Sequence, residues 1–277
     1  MELRGDGVTL HAHVDGPEDG PLVVFLHGVS ASADTYGFLP QPVTAGRRIV
    51  RLDLRGHGAS ERAPGTYTVE RHAADVVAVL EALGAGARPA ALVGHSLGGV
   101  VAWTVAQRRP DLVAGAFLED PPLYLGEPAE HERNGAVPIF QAMLERAARW
   151  HEQGLSPEAA AEEIAAPPLG PTLAPDAPLA RARALLSMDP GVLEGAIDGS
   201  TLAGTDTTGP VTVPVMLLAA DDAHGAAFAA RHEARLRASH PDVEIVRVAD
   251  VGHGIHDDAV ARARWVQELT RFLERVA

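Results

Sequence analysis

The chain has 277 residues, 46% hydrophobic, 22% charged and 4% aromatic: enough apolar material for a sizeable core, and not the composition of a disordered chain. Acidic residues number 37 and basic ones 23, all of them arginine, and the net charge of −14 repels a phosphate backbone and argues against a nucleic-acid partner. Cysteine is absent, which excludes disulfides, thiolate metal sites and a cysteine nucleophile. Met1-Glu2-Leu3-Arg4-Gly5-Asp6 has no signal-like apolar stretch, and no apolar run approaches the roughly 18 residues of a membrane span, so a cytoplasmic chain without a membrane partner is expected.

In chain order, His11 and His13 alternate on an expected outer strand and read as surface residues. Residues 22–26 are apolar throughout, as in a strand buried on both faces. A second strand is predicted at 48–52. Val69, Ala73, Val76, Leu80 and Leu83 share one face of a helix that Gly84 stops. A strand over 90–94, a helix over 96–108 and a strand over 114–118 follow. Such alternation implies crossover connections and a mostly parallel sheet. From 121 to 210 no strand is predicted: a helix spans 137–153, and Ser156-Pro157 and Asp189-Pro190 each carry a helix-start signal. The sheet pattern resumes with a strand at 213–218, a helix at 226–238, a strand at 243–248 and a helix at 258–276. The reading is one α/β core from residues 1–120 and 211–277, with an inserted helical cap at 121–210.

The chemistry centres on Gly94-His95-Ser96-Leu97-Gly98-Gly99, a G-x-S-x-G elbow that follows a strand and opens a helix. The elbow lifts the serine out of a tight turn, and the helix start presents N–H groups to a developing oxyanion. With this elbow the chain resembles the α/β-hydrolase family over nearly its whole length. His27-Gly28-Val29 is similar to the family's oxyanion loop, Asp53-Leu54-Arg55-Gly56-His57-Gly58-Ala59-Ser60 to its D-x-R-G-x-G-x-S turn, and Gly252-His253-Gly254 to the site of its catalytic histidine. The resemblance implies an eight-stranded, mostly parallel sheet with helices on both faces and a helical cap. It also implies Ser96 as nucleophile, His253 as base, and the N–H groups of Leu97 and of the Gly28-Val29 loop as the oxyanion hole. His27, His57 and His95 read as loop-shaping or packing residues.

The acid has two candidate places. Most relatives carry it after the strand at 213–218, where Leu218-Ala219-Ala220-Asp221-Asp222-Ala223 lacks the usual glycine and offers Asp221 or Asp222. Haloalkane dehalogenases and zearalenone lactonases carry it after the strand that follows the nucleophile helix, where Phe117-Leu118-Glu119-Asp120-Pro121-Pro122 offers Asp120, 24 residues beyond Ser96. Glu119 would then point the other way.

The cap has 13 acidic residues and five arginines, a net −8 that disfavours polyanionic substrates. Tyr124, Phe140, Met143 and His256 are candidate substrate-facing residues. The expected function is a serine hydrolase that cleaves carboxylic ester or lactone bonds of a small neutral substrate through an acyl-enzyme. Neither cofactor nor metal is expected, and a monomer or homodimer fits equally. The alternatives are a C–C bond hydrolase of ring-cleavage products or a non-catalytic ligand receptor. Epoxide and haloalkane hydrolysis are disfavoured because those relatives carry Asp at the position of Ser96.

Overall fold

The computed structural model describes residues 1–168 and 172–277. Eight strands form one sheet in the order β1 (Glu2–Arg4), β2 (Thr9–Asp15), β4 (Arg48–Leu52), β3 (Leu22–Leu26), β5 (Ala90–His95), β6 (Val113–Glu119), β7 (Val215–Ala219), β8 (Glu244–Arg247). β1 and β2 enter antiparallel and the remaining pairs are parallel. The sheet reverses its winding at β3, with β4 on one side and β5 on the other; ligands bind beyond the carboxyl ends of strands at such a point.

Period-two alternation sorts the strand residues between two cores. Val24, Leu26, Leu92, Ala116, Leu118 and Leu217 face α2 (Val69–Ala82) and α3 (Leu97–Arg108). Val23, Phe25, Ala91, Val93, Phe117, Met216 and Leu218 face the opposite core, built on α10 (Arg262–Val276). The latter helix buries Trp265, Leu269, Phe272 and Leu273, spaced to form one stripe.

Between β6 and β7 the described residues contain no sheet strand. They form α4 (Pro128–Asn134), α5 (Val137–Gln153), α6 (Pro157–Ala165), α7 (Ala177–Ser187) and α8 (Gly191–Asp198). The Ser156 hydroxyl accepts from Ala159 N at 3.3 Å and caps α6, as its sequence predicts. Trp150, Ala160, Ile164, Ala182 and Leu185 of this insert share a continuous core with the α2/α3 face of the sheet. One pairing lies outside the sheet: Leu173 bridges to Asp258, linking the insert to the segment after β8.

Some elements depart from the sequence reading, and the helix expected at 258–276 starts at Arg262. β1 was not anticipated, being only three residues long. The helix expected at 226–238 is α9 (Ala230–Ser239), which starts late because the N–H groups of Ala227 and Phe228 are engaged by a side chain at the exit of β6 instead of entering a helix. His11, expected at the surface, is half-buried, with its ring nitrogen 3.2 Å from Asp53 Oδ2.

Candidate active site

Ser96 sits between the last residue of β5 and the first of α3, at φ 52° and ψ −118°. That strained left-handed backbone is what an elbow requires. The turn is possible because Gly98 has no side chain: its Cα abuts the carbonyl groups of Leu26 and His27, and its N–H donates to His27 O at 3.1 Å. Leu97 opens α3, so its N–H has no partner four residues back within the helix.

The loop after β3 lies beside the elbow. A Cβ on Gly28 would fall 3.3 Å from Ser96 Cβ and 2.9 Å from His95 Nδ1, so this close approach needs glycine. Two buried histidines shape the loop. His27 Nδ1–H donates to Gly28 O at 2.8 Å, and its Nε2 accepts from Leu54 N at 3.0 Å. Both contacts suit a neutral ring, in keeping with a pKa that burial lowers to about 3. His57 Nε2 meets Val29 O at 2.8 Å.

Asp120 follows β6 at φ 41°. It is fully buried, and its carboxylate accepts from Ala227 N at 2.7 Å and from Ala220 N and Phe228 N at 3.2 Å. His253 Nδ1 lies 2.7 Å from Asp120 Oδ2. Burial pushes the Asp120 carboxyl up, but the His253 ring and these N–H donors outweigh it and hold the carboxyl below the usual carboxylate range. With Nδ1–H given to Asp120, the partly exposed His253 ring keeps its Nε2 lone pair free.

The two other candidate acids lie elsewhere. Asp221 accepts from Ala223 N and Asp250 N, and Asp222 accepts from Ala230 N at the start of α9 and pairs with Arg247. Both are turn and helix-start residues, and neither bonds to His253.

The expected substrate-facing residues divide. Phe140 and Met143 of α5 are partly buried against the core. Tyr124 is turned inward, with its ring against His232 and Phe228 and the Arg235 guanidinium 4.2 Å from its centroid. His256 is also not substrate-facing: 1% exposed, it places Nδ1 2.8–2.9 Å from both Glu119 oxygens, because it lies under the turn that precedes α10 on the opposite face of the sheet.

Glu119, His256 and Asp257 are therefore a second charged cluster that the motif reading did not anticipate. The available signals were the adjacent acids Glu119-Asp120 and the three-residue step from His253 to His256. The donor atoms of His95, Glu119 and His256 lie within 4.8 Å of one another, a set able in principle to hold a metal ion. Both Glu119 oxygens are already engaged by His256, which also donates its backbone N–H to Oε1 at 2.9 Å. Among the described residues no helix is long and apolar enough to cross a membrane.

Comparison with known proteins bears on the fold. The family model described as alpha/beta hydrolase fold matches residues 21–260. Epoxide hydrolase B of Mycobacterium tuberculosis is 42% identical over 118 residues, 41% of this chain and 33% of that protein. The bifunctional esterase/perhydrolase of Acinetobacter calcoaceticus is 40% identical over 119 residues, 41% of each chain. These matches span about a third to two fifths of the curated relatives. An esterase from Thermogutta terrifontis has the same fold at a TM-score of 0.72 and 23% identity, covering 100% of this chain and 98% of its own. The chain belongs to the alpha/beta hydrolase fold family.

Proposed function

We propose that the protein is a serine hydrolase of carboxylic esters or lactones, with Ser96 as nucleophile, His253 as general base and acid, and Asp120 as the orienting carboxylate. The observation that carries this reading is the 2.7 Å contact between His253 Nδ1 and Asp120 Oδ2, with the Ser96 elbow at the end of the neighbouring strand. His253 Nε2 accepts the Ser96 proton as Oγ attacks the carbonyl carbon. The imidazolium so formed is stabilised by Asp120 and then protonates the leaving group. The N–H groups of Leu97 and Val29 face the oxyanion, and water repeats the sequence to release the acid. Residues 121–210 act as a lid whose net −8 favours neutral acyl substrates. The similarity to an esterase/perhydrolase supports ester cleavage, and a serine at the elbow weighs against epoxide opening. Short-chain p-nitrophenyl esters and small lactones test the proposal, with Ser96→Ala as control. Turnover that depends on Ser96, with fluorophosphonate labelling of that residue, is the expected result. Absence of both in a folded sample overturns it.

A further inference from the structure

His253 bears its ring in the open, 37% exposed, and among the described residues one hydrogen bond, to Asp120, holds that ring. What fixes the segment that carries it lies on the opposite side of the strand ends. β5 and β6 each end in a residue that continues the alternation toward the α10 core, His95 and Glu119. His256 packs beneath both, its ring 4.8 Å from that of His95. Its Nδ1 meets Glu119 at 2.8 Å and its Nε2 meets Thr35 Oγ1 at 3.1 Å and Asp257 Oδ1 at 3.4 Å. Asp257 Oδ2 in turn accepts from Arg181 Nε of α7 at 2.8 Å. Charges alternate along this line: Glu119, His256, Asp257, Arg181. The first three side chains are 1%, 1% and 6% exposed, and the arginine is 30% exposed at the insert's surface.

Further bonds join the same segment to the insert. Ala174 N donates to Asp257 O at 2.8 Å, Ala259 N donates to Thr172 O at 2.9 Å, and Arg262 pairs with Asp176. His95 closes the array toward the catalytic side: its Nε2–H donates to the carbonyl of His253 itself at 3.1 Å, and its ring lies tilted against that of His253 with centroids 4.7 Å apart.

We propose that Glu119, His256, Asp257 and Arg181 form a positioning array that holds the His253 segment from behind and ties it to helix α7, so that His256 and Arg181 set turnover without touching substrate. The proposal rests on the hydrolase reading above. The groups facing His256 are Glu119 from β6, His95 from β5, Thr35 and Tyr36 from the turn at 33–36, Arg181 from α7, Asp257 beside it, and Arg262, which donates to its carbonyl oxygen. Two carboxylates outweigh burial here, and the ring is favoured as the cation.

The test uses the full chain. Wild-type ester turnover and Ser96 labelling first establish the hydrolase reading. His256→Gln and Arg181→Met are then compared by circular dichroism and steady-state kinetics. We expect kcat to fall about 10- to 100-fold in His256→Gln and roughly fivefold in Arg181→Met, with KM within about twofold, because a base displaced by a fraction of an ångström loses its alignment. Unchanged kcat in folded Arg181→Met, or a loss confined to KM, overturns the array. So does activity that a chelator removes and zinc restores, which would make the cluster a metal site. If His256→Gln does not fold, Arg181→Met decides the question alone. The low-field proton resonance of His253 Nδ1–H, sharp in wild type and exchange-broadened in Arg181→Met, reads the same positioning even if no ester is hydrolysed.

Discussion

The ends of β5 and β6 carry two ionisable clusters one residue apart in sequence and on opposite sides of the sheet. Ser96 and Asp120 lie on one side, His95 and Glu119 on the other. The front carboxylate, Asp120, is held by three backbone N–H groups and one imidazole. The rear carboxylate, Glu119, is held chiefly by the His256 ring and backbone N–H. Backbone donors are fixed in place by the chain's course, and they leave one Asp120 oxygen in contact with the His253 ring. Side-chain charges instead lock together into an ion-paired array. The same residue types are thus held mainly by backbone donors in one cluster and mainly by opposite charges in the other.

Replacing Ser96 by Ala should break the front cluster most, lowering kcat on a reactive ester by about 10⁴ to 10⁶-fold while melting temperature stays within a few degrees. Next comes Asp120→Asn, which offers the His253 ring the wrong tautomer; a loss of about 10⁴-fold in kcat is expected, with retained circular dichroism. Near-wild-type turnover in that variant would move the acid to another residue. Acid titration separates the buried rings. His27 and His95 are each held at a pKa of about 3, chiefly by burial. In the unfolded chain they take up protons from about pH 6.5 downward, which the native rings resist. Stability should therefore fall as pH drops from about 6.5 toward about 3, by at most roughly 1.4 kcal/mol per pH unit for each ring, read by urea melts at successive pH values. His256 runs the other way. Its raised pKa makes its contribution complete below about pH 6.5 and lost as pH rises through the raised value, so the destabilisation in His256→Gln should shrink in alkaline buffer. Gly28→Ala places a methyl group against His95 Nδ1 and Ser96 Cβ, and a loss of about tenfold in kcat is expected as the oxyanion loop moves. The smallest effect belongs to Asp222→Asn, under about twofold in kcat, since its carboxylate serves the start of α9 and Arg247.

Some of this was legible from residues alone. The strand at 22–26 and the helix at 137–153 appear with the predicted bounds, because an uninterrupted apolar run and a proline-opened amphipathic stretch are local signals. The helix predicted from 226 failed at its start. Nothing in Ala226-Ala227-Phe228 announces that two of those N–H groups are spent on a carboxylate 107 and 108 residues away. Asp120 could be weighed against Asp221 and Asp222 by position only, since which carboxylate reaches a ring depends on the direction of three separate turns. Tyr124 and His256 could face either substrate or packing on sequence grounds, because periodicity does not report side-chain direction in an irregular segment.

Sequence by itself determined the fold family, the elbow at Ser96 and the residue types available for acid, base and oxyanion stabilisation, because these rest on patterns contained within a few residues of one another. The tertiary structure decided which acid meets His253 and which histidine is buried, and it revealed the Glu119, His256, Asp257 and Arg181 array. Those outcomes depend on groups far apart in the chain. They converge only when parallel strands end at one edge and alternation sends neighbouring residues to opposite faces.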